Sequence, residues 1–134
     1  MTDPDADVSE RRCPCGRGRP FASCCGRLIA GETDAATPED LMRSRFSAFA
    51  VGDAAYLLAT WAPETRPSRV RIDPDMRWTS LDVLASTGGV LTSDGTVEFV
   101  ARFTRNGEAG ARHERSRFRR HDGRWVYIDG DHLS

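Results

Sequence analysis

Residues 13–26 read CPCGRGRPFASCCG and contain all 4 cysteines of a chain of 134 residues. The thiols form two close pairs in the pattern C-x-C-x8-C-C, at Cys13, Cys15, Cys24 and Cys25. Four thiolates can close a tetrahedral shell around zinc, with no position left open for water. Glycines at positions 16, 18 and 26 let the backbone turn tightly enough to bring both pairs to one ion. The spacing therefore predicts a structural zinc site that staples a segment too short to bury its own core.

Three other interpretations of these cysteines remain open but are weaker. Two disulfides would need an oxidising compartment, which nothing in the sequence indicates. The adjacent thiols of Cys24 and Cys25 could act as a redox pair, but the C-x-C pair would then have no role. Iron also binds four thiolates, although the usual iron spacings are wider than C-x-C.

This stretch resembles the SEC-C motif, a small zinc module found at the C-terminus of the SecA translocation ATPase. In that protein the module docks partner proteins such as the chaperone SecB. The resemblance implies zinc as the cofactor, and it implies that a protein partner could dock on the module.

The composition fits one domain with a small appended module. Hydrophobic residues make up 39% of the chain and aromatic residues 8%, which suffices for one core. The net charge is -1, so no global field favours nucleic acid or anionic lipid, and no nucleic-acid partner is expected. All 19 basic residues are arginine, which excludes lysine as a catalytic base or Schiff-base former.

The expected location is the cytoplasm. No apolar run approaches the roughly 18 residues that a membrane span needs, so no membrane partner is expected. The first residues, MTDPDAD, are acidic and polar, unlike a secretory signal with its basic start and apolar centre. The thiols are then expected to be reduced or metal-bound.

Three regions are predicted along the chain: a disordered tail over 1–12, the zinc module over 13–36, and a larger domain over 37–134. The domain begins with a helix that Thr37 can cap and in which Pro38 suits the first position. Gly52 should end this helix, and Asp53 should cap a second one that runs to about Trp61.

The rest of the chain is predicted to form a run of antiparallel strands. Alternating or aromatic stretches favour strands over 77–85, 96–105, 112–121 and 124–129, with a loop of hairpin character over 105–110. The last two strands are joined by Asp122-Gly123, a strong two-residue hairpin signal. Two helices followed by such strands indicate an α+β fold, with the sheet curled around the helices to leave a cone.

Several short segments of this domain resemble the YchJ-like bacterial proteins, a family without an established activity. The matching segments are LMRSRFSAF at 41–49, TW at 60–61, HERSRF at 113–118 and GRW at 123–125. The resemblance implies the nuclear-transport-factor-2-like (NTF2-like) cone, a fold shared with SnoaL-like cyclases and ketosteroid isomerase.

The Asp122-Gly123 turn also predicts which side chains face the cone. If the loop has two residues, His121 opposes Arg124, and the aromatic face should be the concave one. Side chains expected on that face are Glu114, Ser116, Phe118, Trp125, Tyr127 and Asp129. Arg115, Arg117 and Arg119 should lie on the other face, as a solvated surface balanced by neighbouring acids.

Glu114 is the candidate catalytic or ligand-binding residue. A carboxylate in an apolar pocket can have a raised pKa and act as a general acid or base. The favoured alternative is structural: Glu114 pairs with Arg43 or Arg45 and locks the sheet to the helix. His113, His121 and His132 are each isolated and are expected to be exposed. Trp61 and Trp78 either line a pocket or fill the core, and the core is the favoured place.

Two functions fit these features, and whether the chain is an enzyme stays open. The first is a cytoplasmic zinc-binding protein that acts as a protein-binding or adaptor module. The alternative is a small-molecule-binding protein or enzyme that uses the cone cavity, with Glu114 as its polar or acid/base group. A cavity with several convergent polar groups would favour the alternative, whereas a cone filled by Trp and Phe side chains would favour the adaptor.

Overall fold

The computed structural model describes residues 11–133, so most of the expected disordered tail at 1–12 lies outside the described residues. The fold is α+β, as the sequence predicts. A 3-10 turn at Phe21–Ser23 precedes three helices: α1 (Cys25–Ile29), α2 (Pro38–Val51) and α3 (Ala54–Ala59). Four strands follow: β1 (Met76–Thr87), β2 (Asp94–Arg105), β3 (Glu108–His121) and β4 (Arg124–Leu133). No helix within this described range is long and apolar enough to cross a membrane.

Helix α2 begins and ends where its local signals place it. The hydroxyl of Thr37 accepts a hydrogen bond from the backbone N–H of Asp40 at 3.1 Å, and Pro38 occupies the first turn. Gly52 ends the helix with φ of 82°, in the left-handed region that glycine tolerates.

Helix α3 is shorter than predicted because the chain leaves it to join the sheet. Asp53 caps it by accepting a hydrogen bond from the N–H of Tyr56, but the helix ends at Ala59 rather than near Trp61. The backbone of Tyr127 in β4 donates to Thr60 O at 2.8 Å and accepts from the N–H of Ala62 at 2.7 Å. Trp61 is thereby held at the sheet edge.

The four strands form one antiparallel sheet in the order β1-β2-β3-β4. The β3–β4 turn has two residues, and His121 opposes Arg124 as the sequence predicts. The predicted hairpin over 105–110 is present, but its loop is shorter than expected, a tight turn at Asn106-Gly107 with φ of 52° and 85°. Two positive φ values match the twist of the flanking strands, so pairing continues up to the turn.

An irregularity in β4 changes the face of its second half. Phe118 pairs with Tyr127, but the preceding Arg117 pairs with Asp129, so Ile128 is an extra residue in β4. One inserted residue reverses the alternation of side chains beyond it. Asp129, expected near the cone, therefore lies on the outer face and accepts a hydrogen bond from Arg117 Nε at 2.6 Å.

The core lies between α2 and the concave face of the sheet. Its buried members are Leu41, Met42, Phe46, Leu81, Val97, Phe99, Ala101, Phe118 and Trp125. The outer face carries ion pairs, as the sequence predicts. They join Arg115 to Glu98, Arg117 to Asp129 and Asp131, and Arg119 to Glu64.

Candidate functional site

The four cysteines are brought together by two tight turns. Gly16 follows Cys15 with φ of 88°, a conformation that side-chain-bearing residues rarely adopt. Cys24 lies between the 3-10 turn and α1, and Cys25 is the first residue of α1. Gly26 allows this close succession, because a Cβ at its position would lie 2.6 Å from the carbonyl oxygen of Phe21.

The geometry of the thiols fits a metal ion. The four sulfur atoms all lie within 4.8 Å of one another, and the sulfurs of Cys15 and Cys24 are 3.6 Å apart. Zinc–sulfur bonds of about 2.3 Å place the sulfurs of a tetrahedron about 3.8 Å apart. All four thiols are free and buried, so the two disulfides of the alternative interpretation are not formed. The cluster therefore has the number, type and spacing of ligands for a closed tetrahedral site.

The electrostatics of the thiols also favour a cation among them. Hydrogen bonds from Cys15 and Cys25 lower the pKa of Cys13 far below that of a free thiol. Burial and the hydrogen bond with Cys15 raise the pKa of Cys24 to about 11. One thiolate is thus stabilised at the expense of its neighbours. Four thiolates in so small a volume need a positive ion to offset their repulsion.

Helix α2 supplies the surroundings of this cluster. The hydroxyl of Ser47, which is fully buried, lies 3.4 Å from the sulfur of Cys13. The guanidinium of Arg43 donates to the carbonyl oxygen of Cys15 at 2.7 Å, and Arg17 forms an ion pair with Asp40 at 2.6 Å. The module is therefore docked on α2, and a group on α2 contacts one metal-ligating atom directly.

A different face of α2 lines a cavity of about 370 Å³ inside the cone. Met42, Arg45, Phe46 and Phe49 come from the helix, and the other walls come from Trp61, a loop at 71–73 and all four strands. The volume is within the range of small-molecule sites, which is about 300–1,000 Å³. Trp61 and Trp78 both line this cavity. Trp78 also packs against the core, and Trp61 packs on the ring of Tyr127, so the favoured placement of both in the core was incomplete.

Glu114 lies in this cavity, but the favoured structural pairing is wrong. Among residues 11–133, none forms a hydrogen bond or an ion pair with its half-buried carboxylate. Arg43 is engaged by Glu39 at 2.9 Å and by the module. Arg45 donates instead to the carbonyl oxygen of Leu57 at 2.8 Å. The carboxylate is therefore available to a ligand.

Arg45 is a buried cation in the lining of the same cavity. Its side chain is only 4% exposed, and no carboxylate of the described residues lies at ion-pair distance. Nη1 donates to Leu57 O and to the hydroxyl of Thr60 at 2.7 Å. The guanidinium carbon lies 4.9 Å from the ring centre of Trp61 and 4.6 Å from that of Tyr127. Burial lowers the Arg45 pKa to about 10, so the group stays charged at neutral pH.

Tyr127 lines the same cavity, and its pKa responds to burial and to the charges of Glu114 and Arg45. Burial raises its pKa, the negative charge of Glu114 raises it further, and the positive charge of Arg45 opposes this rise. Ser116 is buried in the same lining. The indole nitrogen of Trp61 is enclosed and has no acceptor in the part of the chain that the structure describes. Several polar groups thus converge on one largely apolar cavity.

Sequence reasoning overlooked Arg45 as a cavity residue, although a signal was present. Arg45 follows Leu41 and Met42 and precedes Phe46 and Phe49 at helical spacing, so it falls on the apolar face of α2. An arginine on such a face is either paired or functional. The three histidines join neither the cysteine cluster nor the cavity lining. His113 was expected to be isolated and exposed. It is instead half-buried, and its Nε2 lies at hydrogen-bond distance, 2.7 Å, from Oε2 of Glu98.

Comparison with known families and sequences finds relatives over most of the chain. Residues 37–130 match the family described as "YchJ, middle NTF2-like domain". A UPF0225 protein of Streptomyces coelicolor is 52% identical over 122 residues, which cover 90% of this chain and 95% of that protein. A UPF0225 protein of Corynebacterium glutamicum is 50% identical over 90% of this chain and 97% of its own.

Two solved structures are similar in fold. One is the solution structure of a SEC-C motif containing protein from Rhodopseudomonas palustris, with a TM-score of 0.81 and 40% identity. The match covers 92% of this chain and 100% of that one. The other is the crystal structure of a SEC-C motif containing protein from Psychrobacter arcticus, with a TM-score of 0.78 and 26% identity, covering 91% and 82% of the two chains.

Proposed function

From the premise that this chain belongs to the YchJ-like family of UPF0225 proteins, with an NTF2-like domain, we propose that it binds a small molecule in its cone. The four cysteines then hold a structural zinc ion that braces the helix along one wall of the cavity. The observation that carries this proposal is a pair of charges in one cavity, Arg45 and Glu114, that have no counterion among the described residues.

The energetics of the Arg45 charge support a ligand rather than a purely structural role. A buried charge without a counterion costs several kcal/mol, which a fold that needed only stability would avoid. Functional sites commonly keep such costly groups, because the ligand supplies the missing interactions. In this proposal Glu114 accepts a hydrogen bond from the ligand, and the aromatic side chains enclose the ligand's apolar part.

The assignment of zinc rests on the donor set. Four thiolates at tetrahedral spacing suit zinc, and the C-x-C spacing is narrower than the usual iron patterns. A shell of four cysteines leaves no open position, so the role proposed for the ion is to hold the two turns together. The hydroxyl of Ser47, close to Cys13, stabilises one thiolate from outside the shell.

A second candidate function, docking of a protein on the zinc module, has a separate support. Residues 16–20 between the two cysteine pairs are exposed, although the cysteines themselves are buried. In this loop Arg17 already pairs with Asp40, so Arg19 is the side chain that meets acidic groups of a partner. The two functions can be separated, because variants of this loop should alter only docking and variants in the cavity only ligand binding.

The proposal is tested by nuclear magnetic resonance titration of ¹⁵N-labelled protein with 2-naphthoate and with 2-naphthamide. The indole N–H signals of Trp61 and Trp78 should shift, because both rings line the cavity. The indole N–H of Trp125 donates to Ala36 O at 3.2 Å, outside the cavity lining, and its signal should move little.

Ala101→Leu provides the matched control. Ala101 is buried and lines the cavity, so a larger side chain there should occupy the space and weaken binding of both probes. The site charges are unchanged in this variant. Equal shifts at Trp125, or shifts that persist in Ala101→Leu, would show surface binding and contradict the proposal, as would the absence of any shift.

A further inference from the structure

We propose that the ligand of the cavity is an organic carboxylate with an apolar body, and that Arg45 binds its carboxylate group. This inference rests on the proposed function and adds the chemical class of the ligand. It follows from three features of the site: the unused edge of the Arg45 guanidinium, the charge balance of the lining and the apolar character of the walls.

The hydrogen bonds of Arg45 leave one edge of its guanidinium unused. Nη1 is occupied by Leu57 O and by the hydroxyl of Thr60. Nε and Nη2 have no acceptor among the residues that the structure describes. These two N–H groups lie side by side on one edge of the planar fork, an arrangement that matches the two oxygens of a carboxylate. The rings of Trp61 and Tyr127 restrict the guanidinium, so little side-chain entropy is lost on binding.

The charge that lacks compensation is the positive one. Arg45 is only 4% exposed, whereas Glu114 is half-buried and can be solvated in part. The lining contains four arginines, at positions 45, 71, 105 and 112, against two acids, Asp73 and Glu114. Asp73 is already paired with Arg105 at 3.2 Å. An anion therefore gains more in this cavity than a neutral molecule or a cation.

The apolar walls of the cavity indicate what kind of body is attached to the ligand's carboxylate. Three aromatic side chains, Phe46, Phe49 and Trp78, form one side of the cavity. The ring centres of Phe46 and Phe49 lie 5.8 Å and 6.1 Å from that of Trp78. Phe99 and Met42 extend this apolar surface. Inorganic phosphate would satisfy the guanidinium but would leave these walls without contacts. A planar or alicyclic body attached to the carboxylate fills them and adds hydrophobic stabilisation.

The test compares two probes that differ in charge but hardly in shape, 2-naphthoate and 2-naphthamide, by isothermal titration calorimetry at neutral pH. Charge-assisted hydrogen bonds to a buried guanidinium should make the wild type bind naphthoate at least about tenfold more tightly. Arg45→Met keeps the length of the side chain without its charge and should bind both probes equally. Arg45→Lys should retain part of the preference, since it keeps the charge without the fork.

Arg119→Met is the matched control on the outer face, where Arg119 is paired with Glu64. It should leave the preference for naphthoate unchanged. Inorganic phosphate, tested alone and as a competitor, should bind much more weakly than naphthoate.

The outcomes distinguish this inference from the function on which it rests. If both probes shift Trp61 and Trp78 but bind the wild type equally, the cavity binds ligands and the carboxylate assignment is overturned. If phosphate binds as tightly as naphthoate, the inference that the ligand has an apolar body is overturned. If Arg45→Met does not fold, the wild type and Arg45→Lys still decide, because a preference that is undiminished in the lysine variant would exclude recognition by the fork.

Discussion

At the scale of single residues, each of the four thiols depends on the other three. The sulfurs are buried and lie within 4.8 Å of one another, so binding of a metal ion would require the loss of the thiol protons. Removing one sulfur leaves three ligands and opens a position that water cannot easily fill. The site should therefore fail as a unit.

Cys24→Ser should lose most of the bound metal. Elemental analysis of wild-type protein, purified without added metal, should find close to one zinc per chain. The variant should retain a small fraction of this amount, because a serine hydroxyl is a poor ligand where a thiolate is needed. Ser23→Ala, which changes the exposed neighbouring residue, should keep its zinc. Four reactive thiols in wild-type protein supplied with metal would contradict the site.

Glu114→Gln should leave the melting temperature unchanged or raise it. Breaking a buried ion pair would cost about 3–5 kcal/mol, but no residue of the described chain pairs with this carboxylate. The glutamine removes a half-buried charge and keeps the shape of the side chain. Thermal melts at neutral pH give the comparison. Glu39→Gln serves as control, since it does remove a partner of Arg43 and should lower stability. A markedly lower melting temperature in Glu114→Gln would support the structural role, in which Glu114 pairs with an arginine.

At the scale of elements, helix α2 connects the two candidate sites. Residues that contact the module, Arg43 and Ser47, alternate along the helix with residues that line the cavity, Met42, Arg45 and Phe46. The 3.6-residue period places these two sets on different faces of one rigid rod. A change in the metal module can therefore alter the position of Arg45 without any direct contact.

Ser47→Ala should weaken metal binding while the fold persists. The hydroxyl of Ser47 lies 3.4 Å from the sulfur of Cys13, and loss of such an outer contact typically lowers metal affinity about 10- to 100-fold. The metal affinity of the variant is measured by competition with a chromophoric chelator. Ser44→Ala is the matched control, because Ser44 is an equally buried serine of α2 that bonds Leu41 O and Tyr56 instead. Equal metal affinities in the two variants would show that the Ser47 contact has no effect.

At the scale of the whole molecule, the segment before residue 37 is packed against the domain rather than merely attached to it. Ala35 packs against the main core, and Ala36 O accepts the indole N–H of Trp125. The side chains of Ser47 and Ala48 on α2 are fully buried. The cysteines form a second cluster of buried residues with Phe21 and Ile29 beside it. The two clusters share α2 as their common wall.

Removal of the metal by a chelator should lower the melting temperature and also weaken binding of 2-naphthoate. Metal at 100 times its dissociation constant contributes about 2.7 kcal/mol to the stability of the folded state, and α2 loses its brace when the metal leaves.

A chain that begins near Ala35 should still melt cooperatively, because the main core is intact, but at a lower temperature. Unchanged naphthoate affinity in the metal-free protein would show that the two sites are independent, and a molten truncated chain would show one indivisible core.

Local chemistry determined much of this protein from its sequence alone. The bounds of α2 follow from Thr37, Pro38 and Gly52, and the β3–β4 turn follows from Asp122-Gly123, because capping and turn preferences act within a few residues. The clustering of the four cysteines is also local, since residues within 13 positions of one another can meet with only short turns between them.

The tertiary structure alone decided which groups share the cavity. One extra residue at Ile128 turned Asp129 outward, and hydrogen bonds to β4 drew Trp61 out of its helix to the sheet edge. Whether Arg45 meets Glu114 depends on α2, α3 and β3 together. In the folded chain Arg45 donates a hydrogen bond to the backbone carbonyl of Leu57 and does not pair with Glu114. Such outcomes depend on distances between elements far apart in sequence, which no local preference specifies, and so the unpaired charges of the site became visible only in the fold.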